Sequence, residues 1–498
     1  MKIKRIALIT PPYHSGVVES AGTWLNLGFV TIAGALRQAG FEVDYYDAMS
    51  CWHDWPEIQK RIEDYRPDCV ATTAFTASIV DALSLLKLAK EINPQVITVI
   101  GNVHATFCFD ELLTTKDFLD YVIRGEGETA LPALLACLKA GGSLSKVPSL
   151  VYREDKTICV NQQAPMLADL DQAIPAWNLL DWSMYTYFPK PQSTLAIVSS
   201  SRGCSQNCSF CSQKLFWQRT WRARSPEHFV AELEFLHRQY GVNVAMLADE
   251  TPTLDRRRWL KILDLLIERQ PGVKLLMETR VDDILRDRDI MDKYRLAGIE
   301  HIYVGVEAGT QAMLNVFRKG TKVENSKAAI DLINQADIVS ETSFVLGMPD
   351  ETPESIQKTV DLALHYNPDM AFFLAIAPWP YADLYPALQP HIATNDYRRY
   401  NLVDPVIKPM LMTTDEVSEA LGSAARRFFM HKFQNLKGLS HWKQEFMTEV
   451  FSILVNNSYL SGQMMTMANT AQGTMPPEIL AIIRHGTVHR NKNFAPIP

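Results

Sequence analysis

The sequence predicts an α/β protein with three parts: an N-terminal doubly wound parallel sheet, a partial (β/α)6 barrel and a mostly helical C-terminal region. Apolar runs of strand length alternate with helical patterns near the N-terminus, and this alternation resumes after residue 193. A stretch rich in Pro, Asp and Trp separates the two series, and a more polar texture follows the second. We therefore expect domains at 1–140 and 191–381, a linker at 141–190 and a C-terminal region at 382–498.

The composition narrows the classes of protein that this chain could be. With 498 residues, 47% of them hydrophobic, the chain can bury sizeable cores. A net charge of −7 gives no general signal for polyanion binding, so we expect no nucleic-acid partner. No apolar run approaches the ~20 residues that cross a bilayer, and the first residues fit a β-strand better than a signal peptide. Cysteine usage fits a reducing compartment, so we expect a cytoplasmic protein without a transmembrane segment.

The first domain is predicted from five apolar runs with helical patterns between them: Ile6–Ile9, Val43–Tyr46, Cys69–Thr72, Val96–Ile100 and Tyr121–Ile123. Crossover helices between strands produce a parallel sheet, and such sheets bind ligands at the carboxyl ends of their strands. The loops of interest are therefore 10–16, 73–78, 101–106 and 124–128. No Gly-x-Gly-x-x-Gly follows the first strand, which counts against NAD.

The linker contains a predicted hairpin, Ser149–Arg153 with Thr157–Asn161, and an irregular aromatic run, Asp169–Tyr187, which we expect to pack the two domains together. The barrel is predicted from six strands, which are Ser193–Val198, Val242–Leu247, Lys274–Met277, His301–Gly305, Ser340–Leu346 and Met370–Ile376. Ser225 before Pro226 and Thr352 before Pro353 are typical of helix starts. Active sites of such folds lie at the strands' carboxyl ends.

The C-terminal region is predicted to contain one helix, Thr414–Phe433, and a methionine-rich segment, Gly462–Met467. A methionine cluster of this density is more often a gap-filler or a lid than a set of ligands. The last residues, Arg490–Pro498, are expected to be disordered.

Three cysteines, Cys204, Cys208 and Cys211, follow the first barrel strand within eight residues. A structural zinc site needs four ligands, and no second pair follows. A disulfide would leave an odd thiol and suits a secreted protein. An iron–sulfur cluster held by three cysteines leaves one iron open to a substrate or cofactor. The number of cysteines therefore favours the third interpretation over the first two.

This Cys-x3-Cys-x2-Cys spacing, with Phe210 before the third cysteine, resembles the signature of the radical S-adenosylmethionine (SAM) superfamily. The resemblance implies a [4Fe–4S] cluster whose open iron binds the amino and carboxylate groups of SAM. Carboxylates at strand ends could hold the cationic groups and the ribose of SAM. The SAM-binding residues implied are Phe210, Asp249, Glu250, Glu278, Arg280 and Glu307.

The N-terminal sheet resembles the cobalamin-binding domain of cobalamin-dependent radical SAM enzymes, through Gly101-x-x-His-Ala-Thr106 and Arg124-Gly-Glu-Gly-Glu128. An Asp-x-His-x-x-Gly signature is absent because Asn102 stands where it has Asp, so no histidine ligand to cobalt is expected from that motif. The cobalamin-binding residues implied are Thr10, Thr73, Thr76, Ser78, Gly101, His104, Ala105, Gly125 and Glu126. The alternative is a sheet that serves only for packing.

Further motifs resemble the anaerobic magnesium-protoporphyrin IX monomethyl ester cyclases over about residues 1–435; they are 12–16, 211–213 with 216–217, 247–250, 279–287 and 378–380. The resemblance implies oxygen-independent closure of the isocyclic ring to give 3,8-divinyl protochlorophyllide, with the ketone oxygen taken from water. Breaking the strong C–H bond at the substrate's side chain requires radical chemistry, which only a cofactor supplies. An external one-electron reductant of the flavodoxin or ferredoxin type is also implied.

A magnesium porphyrin ester would need a largely apolar, aromatic cleft. The candidate lining residues are Tyr13, His14, Trp24, Trp217, Trp379 and Tyr381. Two other functions stay open: a cobalamin-dependent radical C-methyltransferase acting on a hopanoid or natural product, and a non-catalytic cobalamin or cluster sensor.

Overall fold

The structure is a computed structural model that describes residues 3–15 and 21–456, without the side chains of residues 455 and 456. Gly16, the methionine-rich segment 462–467 and the tail 490–498 lie outside the described residues. The fold class that the sequence predicts is confirmed: a mainly parallel sheet, a six-stranded barrel and a helical C-terminal part follow one another.

The first sheet has seven strands in the order β2-β1-β3-β4-β5-β6-β7. Their bounds are β1 Arg5–Ile9, β2 Glu42–Tyr46, β3 Cys69–Thr73, β4 Ile97–Gly101, β5 Tyr121–Ile123, β6 Leu150–Glu154 and β7 Thr157–Val160. The five predicted strands are parallel, as expected from their crossover helices. The predicted hairpin is β6–β7, and it joins this sheet antiparallel to β5.

Helices cover both faces of this sheet, because residues along its strands alternate between two apolar cores. In β1, Ile6 and Leu8 belong to one buried cluster, whereas Ala7 and Ile9 belong to the other. The helices are α1 Leu27–Gln38, α2 Trp55–Tyr65, α3 Ile79–Ile92, α4 Asn102–Thr115 and α5 Gly127–Ala140.

The barrel sheet has six parallel strands in the order β15-β14-β13-β12-β11-β8. They are β8 Leu195–Val198, β11 Val244–Leu247, β12 Lys274–Arg280, β13 Ile299–Gly305, β14 Val339–Leu346 and β15 Met370–Ala375. In the part of the chain that the structure describes, the edge strands β8 and β15 are not paired with each other, so the barrel is open on one side. All six predicted barrel strands are present.

A short antiparallel ribbon lies beside the barrel mouth, formed by β9 Ser201–Gly203 and β10 Trp221–Ala223. The sequence does not predict it. The barrel helices are α6 Gln213–Phe216, α7 Pro226–Tyr240, α8 Arg256–Arg269, α9 Val281–Arg286, α10 Met291–Leu296, α11 Gln311–Val316, α12 Val323–Gln335 and α13 Pro353–Tyr366. Ser225 and Thr352 cap α7 and α13 as predicted, each accepting a backbone N–H of the first turn.

Three helices complete the described chain: α14 Tyr385–Leu388, α15 Thr414–Gln434 and α16 His441–Asn456. The first long helix is the one predicted, with a capping box at Thr413. Lys443 of α16 donates to Asp369 over 2.7 Å, which fixes the last helix against the residues before β15. Among the described helices, none is long and apolar enough to cross a membrane.

Candidate active site between the sheet and the barrel

The loop that carries the three cysteines leaves the ribbon strand β9 and is anchored at its centre. The Ser209 amide donates to the Phe317 carbonyl over 2.9 Å, and the Ser209 hydroxyl donates to the Val316 carbonyl over 2.7 Å. The Leu384 amide in turn donates to the Ser209 carbonyl. Phe210 packs edge-to-face against Phe317, with 5.1 Å between ring centroids. The centre of the loop is therefore held by the packing of Phe210 and by hydrogen bonds of Ser209, which leave the cysteine sulfurs unused.

All three cysteines are free thiols, and Cys208 is buried while the other two are half-buried. The Cys211 sulfur accepts the Gln213 amide over 3.4 Å, and Thr251 donates to the Cys204 sulfur over 3.5 Å. Burial raises the pKa of Cys211 to about 11, and metal binding would displace its proton.

Within residues 3–15 and 21–456, no three His, Cys, Asp or Glu side chains converge on one metal-ion position. In an iron–sulfur cluster each thiolate binds a different iron, so the three sulfurs need not converge on a single metal-ion position. The three soft sulfur donors on one loop fit an iron–sulfur cluster that keeps one iron free of protein ligands.

The adjacent carboxylates Asp249 and Glu250 accept hydrogen bonds from different parts of the site. Asp249 is buried and accepts hydrogen bonds from the Ser200 amide over 2.8 Å and from the Ser200 and Ser201 hydroxyls over 2.6 Å. Burial raises the pKa of Asp249, and these three donors partly offset that rise. Asp249 therefore fixes the segment between the end of β8 and the start of the ribbon strand β9.

Glu250 lies at the mouth of the barrel, where it joins the ribbon to an aromatic residue. Its Oε2 accepts the Gly203 amide over 2.9 Å, and its Oε1 accepts the Trp217 indole N–H. Burial raises the pKa of Glu250. The carboxylate thus holds both ends of the segment that contains the cysteines.

Glu278 lies on β12, and its side chain is accessible although Glu250, Glu307 and Glu341 are close enough to act on its charge. The protein environment raises its pKa to about 7, first through desolvation and then through the negative charges of Glu250, Glu341 and Glu307. A carboxyl group in this state can gain or lose its charge near neutral pH.

Glu307 and Lys319 form a buried ion pair of 2.6 Å at the end of β13. Glu307 has a φ of +68°, which turns its side chain back across Gly305. A Cβ at Gly305 would lie 2.6 Å from the Glu307 Oε1 and Lys319 Nζ atoms, so a larger residue there would displace the ion pair. Arg280 donates to the Lys319 carbonyl over 2.6 Å. Lys319 therefore connects Arg280 with Glu307. The sequence analysis missed Lys319 because this residue lies in a loop without a motif.

A cavity of about 490 Å³ lies between the carboxyl edge of the first sheet and the barrel mouth. Its walls come from both domains. The N-terminal side includes Trp24, Asn26, Thr73, Gly101, Gly125 and Glu126. The barrel side includes Ser199, Arg202, Phe216, Trp217, Ala248 and Glu250. The cavity thus joins four of the predicted cobalamin residues, two of the predicted substrate residues and one predicted SAM residue.

The other predicted cobalamin residues lie behind this wall. Thr10 donates to the buried carboxylate of Asp47 over 2.8 Å. His104 is buried, with its Nδ1 3.1 Å from the Thr76 hydroxyl, and desolvation lowers its pKa to about 4. Ser78 bonds to the backbone of Phe75, and Ala105 is buried in the core. These side chains support the loops but do not line the cavity.

The remaining substrate candidates also lie outside the cavity wall. His14 stacks on Trp52 with 3.9 Å between ring centroids, and the Tyr13 hydroxyl donates to the Arg398 carbonyl. Tyr381 shares a 2.8 Å hydrogen bond with Thr76. Trp379 packs against a small buried cluster that includes Ala377, Tyr400 and Val406.

Sequence reasoning missed two parts of the cavity wall. One is the start of α1, where the Asn26 side chain accepts the Phe29 amide and both residues face the cavity. The other is Phe75, which is 52% exposed in a loop and lines the same space. The sequence analysis placed Phe75 within the loop of interest 73–78 but did not single it out. Nothing in the local pattern distinguishes α1 from a helix that only packs.

Known proteins match both halves of this site. The B12 binding domain model matches residues 13–135, and the Radical SAM superfamily model matches residues 198–363. The anaerobic magnesium-protoporphyrin IX monomethyl ester cyclase of Rubrivivax gelatinosus is 37% identical over 433 residues, 86% of this chain and 78% of that protein. The enzyme of the same name from Cereibacter sphaeroides is 37% identical over 435 residues, 86% of this chain and 71% of that protein. The chain belongs to this cyclase family.

Membership in the cyclase family makes the chain a radical SAM enzyme with a B12-binding domain, and the cofactors predicted from the sequence are confirmed: cobalamin, SAM and a [4Fe–4S] cluster. The cobalamin-dependent SAM radical enzyme OxsB, solved with aqua-cobalamin and SAM, has a TM-score of 0.70 at 18% identity, covering 97% of this chain and 78% of that one. This likeness confirms the fold. The hopanoid C-3 methylase of Methylococcus capsulatus is more distant, at 26% identity over 388 residues, 77% of this chain and 73% of that protein.

Proposed function

We propose that this chain closes the isocyclic ring of magnesium-protoporphyrin IX 13-monomethyl ester without oxygen gas, giving 3,8-divinyl protochlorophyllide. The observation that carries the proposal is the 37% identity to a cyclase of that name, which extends over 86% of the chain and so includes both domains. The ketone oxygen of the new ring comes from water in this proposal. The reaction serves chlorophyll or bacteriochlorophyll synthesis.

Cys204, Cys208 and Cys211 would hold the cluster at the barrel mouth. When bound there with one iron open, a reduced cluster would supply the one-electron reduction of SAM, and with it the hydrogen-abstracting radical that this chemistry requires. Glu250 and Asp249 hold the cysteine segment and the start of the ribbon in place through the contacts described above. The protein's part in the reaction is to hold the reacting groups in a productive geometry.

We place SAM in the barrel interior, toward Glu278 and the Glu307–Lys319 pair, with Arg280 anchored beside them. Glu278 is accessible and suits the hydroxyl groups of a ribose, which donate to a carboxylate. Phe210 and Asp249 serve this site by holding the cysteine loop and the end of β8, because their own contacts are with protein.

SAM binding is expected to strengthen as the pH rises through about 7, because Glu278 gains its charge over that range and the anionic form accepts hydrogen bonds best. Anaerobic calorimetric titration of SAM into the cluster-loaded protein measures this step. Glu278→Gln should bind SAM more weakly and lose the step, whereas the exposed control Glu354→Gln on α13 should keep it. A step that persists in Glu278→Gln would assign it to another group.

Cobalamin and the porphyrin ester are assigned to the cavity between the domains. Thr73, Gly101 and Gly125 offer a hydroxyl and open backbone at the sheet's carboxyl edge, where such folds bind ligands. Trp24, Phe75 and Trp217 add aromatic surface that suits a flat tetrapyrrole ring. Because His104 is buried behind Thr76, we infer that cobalt receives no ligand from it.

An external one-electron donor of the flavodoxin or ferredoxin type would reduce the cluster, because none of the chain's own groups carries low-potential electrons. We also infer a cytoplasmic location. The eight cysteines are free thiols, which is the usual state in a reducing compartment.

The function is tested by anaerobic reconstitution with SAM, cobalamin, a reductant and magnesium-protoporphyrin IX monomethyl ester. The expected product is 3,8-divinyl protochlorophyllide, identified by its mass and absorption, with ketone oxygen from ¹⁸O-labelled water. A methylated porphyrin with the ring still open, accompanied by S-adenosylhomocysteine, would replace the cyclase by the radical methylase.

A further inference from the structure

Two arginines stand directly opposite each other in the ribbon beside the cysteine loop. Arg202 of β9 pairs in register with Arg222 of β10. Like charges at directly opposed positions of two antiparallel strands are destabilising unless something neutralises them. Both side chains are also largely buried, at 15% and 12% exposure. The ribbon therefore depends on partners supplied from elsewhere.

Those partners come from the other domain, from the loop between β5 and α5 and from the first turn of α5. Glu126 Oε1 accepts hydrogen bonds from Arg202 over 2.8 Å and from Arg222 over 3.0 Å. Glu126 Oε2 accepts a second bond from Arg222 over 3.0 Å and one from the Leu167 amide over 2.8 Å. Glu128 adds a second contact to Arg202, also at 2.8 Å. Two negative and two positive charges thus balance within one buried group.

Glu126 has no acceptor capacity left over for a cofactor in this arrangement. Each of its carboxylate oxygens already accepts two charged or backbone donors, and the side chain is 10% exposed. Removing one member of a buried ion group leaves an uncompensated charge and is strongly destabilising locally. Its role differs from the direct cofactor contact that the sequence suggested, because it acts through the two arginines.

On the barrel side, this buried group of four charged residues is connected directly to the cysteine loop. Arg202 is followed by Gly203, whose amide is held by Glu250, and then by Cys204. The Arg222 guanidinium lies over the Trp217 ring at 5.7 Å from its centroid, and Trp217 donates to Glu250. A shift of either arginine would therefore move the start of the cluster loop.

On the sheet side, the same four charged residues are connected directly to the wall of the cavity. Gly125, next to Glu126, has a φ of +72° and donates its amide to the Thr106 hydroxyl over 3.0 Å. Glu126 then precedes the first residue of α5. Gly125, Glu126, Glu128 and Arg202 all border the cavity between the domains.

We propose that Glu126, Glu128, Arg202 and Arg222, here called the carboxylate–arginine clamp, are positioning residues that set the cobalamin-binding loops at a fixed distance from the cluster loop. This inference rests on the proposed function, because it assumes that both cofactors work together. A radical made at the cluster is productive only when the second cofactor and the substrate are held within about 1 Å of the working geometry.

The test uses Glu126→Gln in the full-length holoenzyme, which keeps the side chain's shape but removes its charge. We expect near-normal cluster content and cobalamin binding, continued formation of 5′-deoxyadenosine, and about tenfold to hundredfold less cyclised product per deoxyadenosine. In electron paramagnetic resonance (EPR) spectra of the reduced protein without substrate, the magnetic coupling between the cluster and cob(II)alamin should become weaker or more widely distributed.

The matched control is Asp81→Asn, which breaks another ion pair between the N-terminal domain and the C-terminal region. Asp81 accepts two bonds from Arg398, at 2.9 and 3.1 Å, and it does not border the cavity. This variant should keep both the product ratio and the EPR coupling. If Glu126→Gln does not fold, Arg222→Lys replaces it, because lysine keeps the charge but cannot bond both Glu126 oxygens in the same geometry.

An unchanged EPR coupling and product ratio in the folded clamp variant would overturn the proposal, as would an identical loss in the Asp81→Asn control. The EPR readout needs no porphyrin substrate. Its outcome is therefore distinct from a failure of the wild-type protein to make protochlorophyllide, which would overturn the proposed reaction instead.

Discussion

Cys208→Ala is expected to abolish SAM cleavage and ring closure, with no 5′-deoxyadenosine above background after anaerobic reconstitution. Cys208 is the most deeply buried of the three loop thiols, and two thiolates cannot hold a cluster with a single open iron. The measurement is deoxyadenosine and product by liquid chromatography, together with the iron and sulfide content of the variant.

The matched control for this prediction is Cys159→Ala on β7, the edge strand of the first sheet, where the thiol is half-buried and lies outside the cysteine loop. It should retain wild-type cluster content and turnover. A Cys208→Ala protein that still cleaves SAM at the wild-type rate would show that this loop does not hold the catalytic cluster.

Gly203→Ala should have the second largest effect, because Gly203 stands between Arg202 and Cys204 with a φ of +94°. A Cβ there would lie 2.2 Å from the Thr220 carbonyl oxygen, which is backbone and cannot turn away. Left-handed strain and overpacking together should cost about 2–5 kcal/mol. We expect distortion of the ribbon, poor cluster retention and at least about a tenfold loss of turnover, measured with thermal unfolding beside iron content.

Gly241→Ala provides the comparison that separates backbone strain from the clash. Gly241 caps helix α7 with a φ of +71°, but a Cβ there would meet no atom within 4 Å. This control should lose about 1–2 kcal/mol of stability while keeping its cluster. Equal cluster loss in both variants would mean that the tight contact at Gly203 has no special role.

The fold could be predicted largely from apolar periodicity, because long parallel strands with helices between them leave a strong pattern. The ribbon β9–β10 could not, because each of its strands has three residues and follows no alternation. Its arginines are recognised only when Glu126 is brought beside them from the other domain, a contact that no local pattern encodes.

The strand-end carboxylates illustrate what sequence reasoning can and cannot resolve at the site. Asp249 and Glu250 are neighbours in the chain and looked equivalent, but successive side chains at a strand end point in opposite directions. One carboxylate therefore bonds the serines after β8, while the other borders the cavity. The cluster-binding role of the cysteine loop stays a prediction, which rests on the resemblance of its cysteine spacing to the radical SAM signature.

The central claim is that three thiolates at the barrel mouth hold a [4Fe–4S] cluster with one iron left open for SAM. EPR spectroscopy of the anaerobically reconstituted, reduced protein, recorded before and after adding SAM, tests it most directly. We predict the spectrum of a reduced [4Fe–4S] cluster that shifts on SAM addition, because SAM binds the open iron. The absence of a cluster, or a spectrum that SAM leaves unchanged because a fourth side chain occupies that iron, would contradict the account.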